Sequence, residues 1–190
     1  MALKKRIWLS PPHMSGNEIE YINLAYKTNW VAPLGPNVDG FEEDISKLMK
    51  IKYVAALSSG TAAIHLALII LGIKSNDEVI CPSFTFSASA NPICYQKAIP
   101  VFIDSEKDTW NMCPELLEKA IKDRLSKGKK LKAIILVHLY GMPAKMDEII
   151  YLSNKYNIPI IEDAAEALGS TYKKQYLGTF GNIGIYSFNG

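Results

Sequence analysis

Several short stretches of this chain combine residue types that could hold an anion, a flat ring or a proton. Ser59-Gly60-Thr61 sits where a strand-like run gives way to a helix. Free backbone N–H groups, the positive end of the helix dipole and a glycine that lets an anion approach would make this turn a phosphate seat. The same three residues also suit a plain N-cap and tight turn. Ile160-Ile161-Glu162-Asp163 ends an apolar run in two adjacent carboxylates. They could hold magnesium, although neither G-x-x-x-x-G-K-[ST] nor G-x-G-x-x-G occurs to supply a phosphate loop. Asp163 could instead face a cationic ring nitrogen, a charge-assisted hydrogen bond of about 1.5–3 kcal/mol, or simply cap the next helix. Phe86 could stack on a flat ligand or join the core. Ser187 and Asn189 close the last apolar run, where turn chemistry also places such residues. His138 suits either a site or a satisfied core position, and His13 and His65 read as structural.

These stretches need elements to position them. Ser15-Gly16-Asn17-Glu18 has the form of a capping box, which predicts a helix to about Lys27. A loop is predicted over 30–38 and a helix carrying Phe41, Ile45, Leu48 and Met49 on one face. From Tyr53 short apolar runs alternate with helical spacing. Strands are predicted over 53–57, 78–81, 100–103, 133–138 and 158–162, and helices over 61–71, 84–96, 114–126 and 145–156. Short strand-like runs follow at 170–172 and 183–188. Strands apolar along their whole length, alternating with helices, point to an α/β fold with a mostly parallel sheet covered on both faces. Ligands of such sheets bind beyond the carboxyl ends of the strands, where each of the candidate stretches falls.

Bulk properties narrow the function classes. A net charge of +2 gives no basic excess for nucleic acid or an acidic membrane surface. Three cysteines with no C-x-x-C pair argue against a disulfide framework or a zinc site, and no metal centre is expected. The basic start runs into Trp8-Leu9-Ser10-Pro11-Pro12, which does not read as a secretory signal. The longest apolar stretch, 62–73, falls short of the roughly 18 residues a spanning helix needs. A cytoplasmic protein is the expectation.

The motifs also occur in a recognisable order. The stretches at 59–68, Pro82-Ser83-Phe84-Thr85-Phe86, His138-Leu139-Tyr140-Gly141, Glu162-Asp163-Ala164-Ala165-Glu166, Gly178-Thr179-Phe180-Gly181 and Tyr186-Ser187-Phe188-Asn189-Gly190 together resemble the DegT/DnrJ/StrS-type nucleotide-sugar aminotransferases. That resemblance implies the three-layer α/β/α large domain of pyridoxal-phosphate (PLP) transferases, truncated over 1–190 and lacking a C-terminal small domain. It implies PLP as cofactor, with Gly60, Thr61 and Ser187 on the phosphate and Phe86 stacked on the ring. Asp163 would pair with the ring nitrogen, Glu166 would sit near the ring hydroxyl, and Asn189 would lie beside the cofactor. The lysine that bonds the cofactor would follow beyond Gly190, so no catalytic residue is assigned within the chain. A related branch with histidine in that slot removes a sugar hydroxyl instead, and a non-catalytic binding protein on the same fold is the other alternative. The runs at 7–16 and 30–36 are similar to the UDP-N-acetylbacillosamine-pathway transaminases. That similarity implies a UDP-linked 4-keto-6-deoxy-N-acetylhexosamine as acceptor, while the family resemblance implies glutamate as amino donor and a homodimer.

Overall fold

The computed structural model describes residues 13–188. The chain divides into two compact units, 1–56 and 57–190.

The described part of the first unit holds α1 (Glu18–Lys27) and α2 (Pro36–Met49). The capping box is half made. The Glu18 carboxylate reaches back to the backbone N–H groups of Ser15 and Gly16 at 2.7 and 2.8 Å. The Ser15 hydroxyl, however, accepts from Asn17 rather than from the third residue on. α2 begins within the expected loop, because Pro36 at the first turn has its φ already set for a helix and no N–H to leave unpaired. Ile45 and Met49 form its buried stripe, as their spacing predicts.

In the second unit the elements run α3 (Gly60–Ile70), β1 (Glu78–Pro82), α4 (Asn91–Tyr95), β2 (Ile99–Ile103), α5 (Pro114–Ser126), β3 (Leu131–Val137), α6 (Met146–Tyr156), β4 (Ile160–Asp163), β5 (Thr171–Tyr172), β6 (Gln175–Tyr176) and β7 (Ile183–Ile185). A parallel sheet carries the order β2-β1-β3-β4-β7. Side chains alternate between its faces. Val79, Cys81, Ala133, Ile135, Ile161 and Ile185 pack with Ile64 and Leu68 of α3 and Ile93 of α4. Ile80, Ile134, Leu136 and Ile160 pack on the opposite face with Leu117 and Ile121 of α5 and Met146, Ile149 and Leu152 of α6. The fold is therefore a three-layer α/β/α arrangement. Arg124 of α5 pins the start of β1 through a forked pair of bonds to the buried Glu78 carboxylate, one of them 2.8 Å.

Three expectations change. Residues 53–57 form no strand, and Tyr53 is 79% exposed. An apolar run becomes a strand only by pairing with a partner edge, and apolar composition alone does not supply that pairing. The helix expected over 84–96 is broken into a 3-10 turn, Ser87–Ser89, and the short α4, which restarts at Pro92 because proline suits only a first turn. The run 183–188 pairs only over Ile183–Ile185. The β5–β6 hairpin turns on Lys173 and Lys174, both at positive φ, without the Asn-Gly signature that marks such turns in sequence.

The fully buried Ile134 touches the core beneath the sheet. Ile134→Ala should cost about 2–5 kcal/mol of unfolding free energy. Urea denaturation checks this, and a cost below about 1 kcal/mol would mean the sheet does not pack as described.

Candidate functional site

The candidate residues gather at the carboxyl ends of β1, β4 and β7 and at the amino end of α3. In α3, Ser59 is the N-cap and its hydroxyl accepts from the N–H of Ala62 at 3.1 Å. The N–H of Ala63 bonds to the Ser59 carbonyl. The N–H groups of Gly60 and Thr61 are left without a partner among the described residues, as the first N–H groups of a helix are. Ser187 comes to this spot from beyond β7. A Cβ on Gly60 would lie 3.3 Å from the Ser187 Cβ and 3.5 Å from its Oγ. Glycine thus keeps open a gap bordered by two free N–H groups and a serine hydroxyl, at the positive end of a helix. That donor set fits a phosphate.

Adjacent residues of β4 face opposite ways, so Glu162 and Asp163 cannot chelate one ion together. Among the described residues there is no cluster of three or more metal-binding side chains. Glu162 is fully buried. Its carboxylate accepts from the N–H of Gly178 at 2.8 Å, of Phe180 at 2.6 Å and of Gly181. His138 Nε2 lies 2.9 Å from Glu162 Oε2, while the N–H of Ala144 donates to its Nδ1 at 3.4 Å. The latter bond leaves Nε2 to carry the proton and donate to Glu162. His138 is thus the satisfied core histidine, and Glu162 anchors the loop that returns the chain to β7.

Asp163 is nearly buried and points toward the segment after β1. Its Oδ2 accepts from the Ser89 hydroxyl at 2.6 Å, and Ser89 Oγ lies 2.7 Å from Thr85 Oγ1. Its Oδ1 accepts from the N–H of Ala165 at 3.3 Å. Burial pushes the Asp163 carboxyl above the usual range, only partly offset by the Ser89 and Ala165 bonds and by His138. No lysine or arginine pairs with it among the described residues. A buried carboxyl group without a cation suits a cationic ligand atom.

Phe86 lies three residues before Ser89, whose N–H bonds to the Phe86 carbonyl at 3.0 Å. Its ring is 79% exposed, so it belongs to the surface of the site rather than to the core. Glu166 accepts from the N–H of Tyr140 at 2.9 Å, which ties the loop after β4 to the loop after β3. α3 packs on β4, β7 and the Ser87–Ser89 turn, which brings the Gly60–Ser187 gap and the Asp163–Ser89 pair to one end of the sheet. Asn189 lies outside the described residues. The sequence reading does not single out Ser89 and Thr85, and their spacing of four beside Phe86 is the one local signal they carry.

The raised carboxyl of Asp163 has a sign. A group that holds its proton more tightly when folded stabilises the fold below its unfolded pKa of about 3.9, and that stability is lost as pH rises. Asp163→Asn should therefore raise the melting temperature of the ligand-free chain at pH 7 and leave it little changed at pH 4. Calorimetry at both values is the check, and a variant less stable at pH 7 would contradict the buried, unpaired carboxylate.

The chain is 57% identical over 188 residues to EpsN of Bacillus subtilis (strain 168), provisionally named a pyridoxal phosphate-dependent aminotransferase, covering 99% of this chain and 48% of that protein. It is 42% identical over 186 residues to GDP-perosamine synthase of Escherichia coli O157:H7, covering 98% and 50%. The PLP-form of Spr1654 from Streptococcus pneumoniae, provisionally named a sugar aminotransferase, superposes with a TM-score of 0.82 at 32% identity, covering 93% of this chain and 47% of that one. The chain thus spans about half the length of the curated relatives it matches. PLP is the cofactor of the family concerned. The family profile matches residues 12–190, and the chain belongs to the DegT/DnrJ/EryC1/StrS aminotransferase family.

Proposed function

We propose that this chain is the N-terminal segment and most of the cofactor-binding large domain of a PLP-dependent aminotransferase that aminates a keto-sugar carried on a nucleotide. One observation carries the reading: a buried, cation-free carboxyl group at Asp163 shares one end of the sheet with the open N–H groups of Gly60 and Thr61. These are complementary to the two ends of PLP, a protonated ring nitrogen and a phosphate. When bound, the cofactor supplies the electron sink through which an amino group passes from donor to acceptor.

The chain's own residues would do the rest. Gly60, Thr61 and Ser187 would hold the phosphate. Asp163 would keep a proton on the ring nitrogen, and Ser89, with Thr85 behind it, would fix the direction of that carboxylate. Phe86 would cover the ring, Glu166 would lie by the ring hydroxyl, and Asn189 would sit beside them. Glutamate as donor and a UDP-linked 4-keto-6-deoxy-N-acetylhexosamine as acceptor are the finer assignment, supported by the similarity of the runs at 7–16 and 30–36. A GDP-linked sugar is the second reading, favoured by the 42% identity to GDP-perosamine synthase. The resemblance to nucleotide-sugar aminotransferases fits a role in making polysaccharide precursors. A cytoplasmic homodimer completes the proposal; among the described residues no helix is long and apolar enough to cross a membrane.

Binding of PLP and of pyridoxal, which lacks the phosphate, tests the seat. PLP should bind roughly tenfold or more tightly, as charge-assisted hydrogen bonds imply. Gly60→Val should remove most of that difference by closing the gap to Ser187. Equal binding of the two aldehydes would defeat the reading. Glutamate-dependent amination of UDP- and GDP-linked 4-keto-6-deoxy sugars, assayed in a protein of the relatives' full length, decides between the two acceptors.

A further inference from the structure

Two aromatic side chains stand on backbone that aromatic residues rarely adopt. Trp110 has φ +62° and Tyr140 has φ +52°. The other described non-glycine residues at positive φ are all Asn or Lys. A bulky side chain in the left-handed region costs on the order of 1–3 kcal/mol and persists only where the surroundings impose it. Here they do. The loop carrying Trp110 winds round the buried Glu106 carboxylate, which accepts from the N–H groups of Asp108 and Thr109 at 2.8 and 2.7 Å and from the Thr109 hydroxyl. Lys145 pairs with the same carboxylate at 3.1 Å.

The neighbouring Asn111 is buried and joins the two aromatic loops. Its Oδ1 accepts from the N–H of Leu139 at 2.9 Å, and its Nδ2 donates to the Met142 carbonyl at 3.0 Å. Those two bonds bracket Tyr140. The strained aromatics are therefore held, but neither ring is part of the buried core. Trp110 is 61% exposed and Tyr140 74%. The only ring contact of Trp110 among the described residues is an edge-to-face approach by Phe84 at 6.2 Å, itself 47% exposed. A glycine at either position would relieve the backbone and remove apolar surface from water, so neither ring is there for the fold.

The two loops follow β2 and β3, the strands on either side of β1. They lie at the same carboxyl end of the sheet as Phe86 and Asp163, and Tyr140 is tied to Glu166 through its N–H. We propose that Trp110 and Tyr140, with Phe84 bracing Trp110, form an aromatic platform that stacks on the heterocyclic base of the nucleotide carrying the acceptor sugar. This rests on the nucleotide-sugar reading above. Flat rings offered to solvent on pinned loops match the π-face that any base presents, and they hold the base without demanding one hydrogen-bond pattern.

Titration calorimetry of the full chain with UDP, GDP and inorganic pyrophosphate tests it, comparing the parent with Trp110→Gly and Tyr140→Gly. Each variant should bind UDP or GDP roughly 5- to 100-fold more weakly and pyrophosphate unchanged. Trp110→Gly should melt at the same temperature as the parent or higher, and should take up PLP as the parent does. No measurable binding of either nucleotide by the parent, an equal loss with pyrophosphate, unchanged nucleotide affinity in the variants, or a clear loss of stability in Trp110→Gly would each overturn the proposal. PLP uptake that persists while the nucleotide result fails leaves the cofactor reading standing. Failure of PLP uptake by the parent itself is instead a failure of that reading.

Discussion

The interaction on which the site depends is the enclosure of the Glu162 carboxylate. Its two oxygens take three backbone N–H groups from a single loop and the imidazole of His138. Charge-assisted bonds of this kind each contribute about 1.5–3 kcal/mol, and a buried carboxylate missing them would cost more than it gives. What they secure is position. The loop must fold tightly over β4 for its N–H groups to converge, and glycines allow it. A Cβ on Gly181 would meet the Ile160 carbonyl at 2.8 Å, and one on Gly178 would strike the Tyr186 ring. The tight loop delivers β7 to the edge of β4, and Ser187 emerges beside Gly60. Removing the anchor would loosen Ser187, a residue that Glu162 never touches.

A second tension runs through Asp163. Its carboxyl is buried without a cation, an arrangement that weakens the fold near neutral pH and is eased by one hydroxyl and one N–H. Buried charge of this sort is poorly explained by folding and well explained by a ligand that brings the missing positive charge. The open N–H groups of Gly60 and Thr61 express the same logic with the sign reversed. The protein leaves a negative group and a positive helix end unmatched at one end of the sheet, and the proposed ligand, carrying both opposite charges, would complete it.

How much of this was legible beforehand follows from the kind of signal each residue carries. The buried strands are legible in their unbroken apolar runs, and α5 in Pro114, because burial on both faces and proline at a first turn leave local marks. Gly60, Asp163 and Ser187 could be marked as candidates because a ligand-binding turn shares its chemistry with a cap. Glu162 could not be told from a metal ligand, since its donors come from 16 to 24 positions away. Ser89 was hidden in a segment expected to be one helix, and Pro92 set the break. Residues 53–57 carry a strand's composition, but pairing is a property of the partner edge. The Lys173–Lys174 turn reverses the chain without glycine, so nothing in its composition announced a hairpin.

The central claim is that one ligand spans Gly60, Thr61 and Asp163. Backbone amide NMR shifts of the 15N-labelled chain, followed as PLP is added, test it most directly. The largest changes are expected at the Gly60 and Thr61 N–H groups, with coupled changes at Ser89 and Ala165, whose bonds to Asp163 would respond to a cation arriving there. Shifts confined to surface lysines, with Gly60, Thr61 and Ser89 unmoved, would contradict the account.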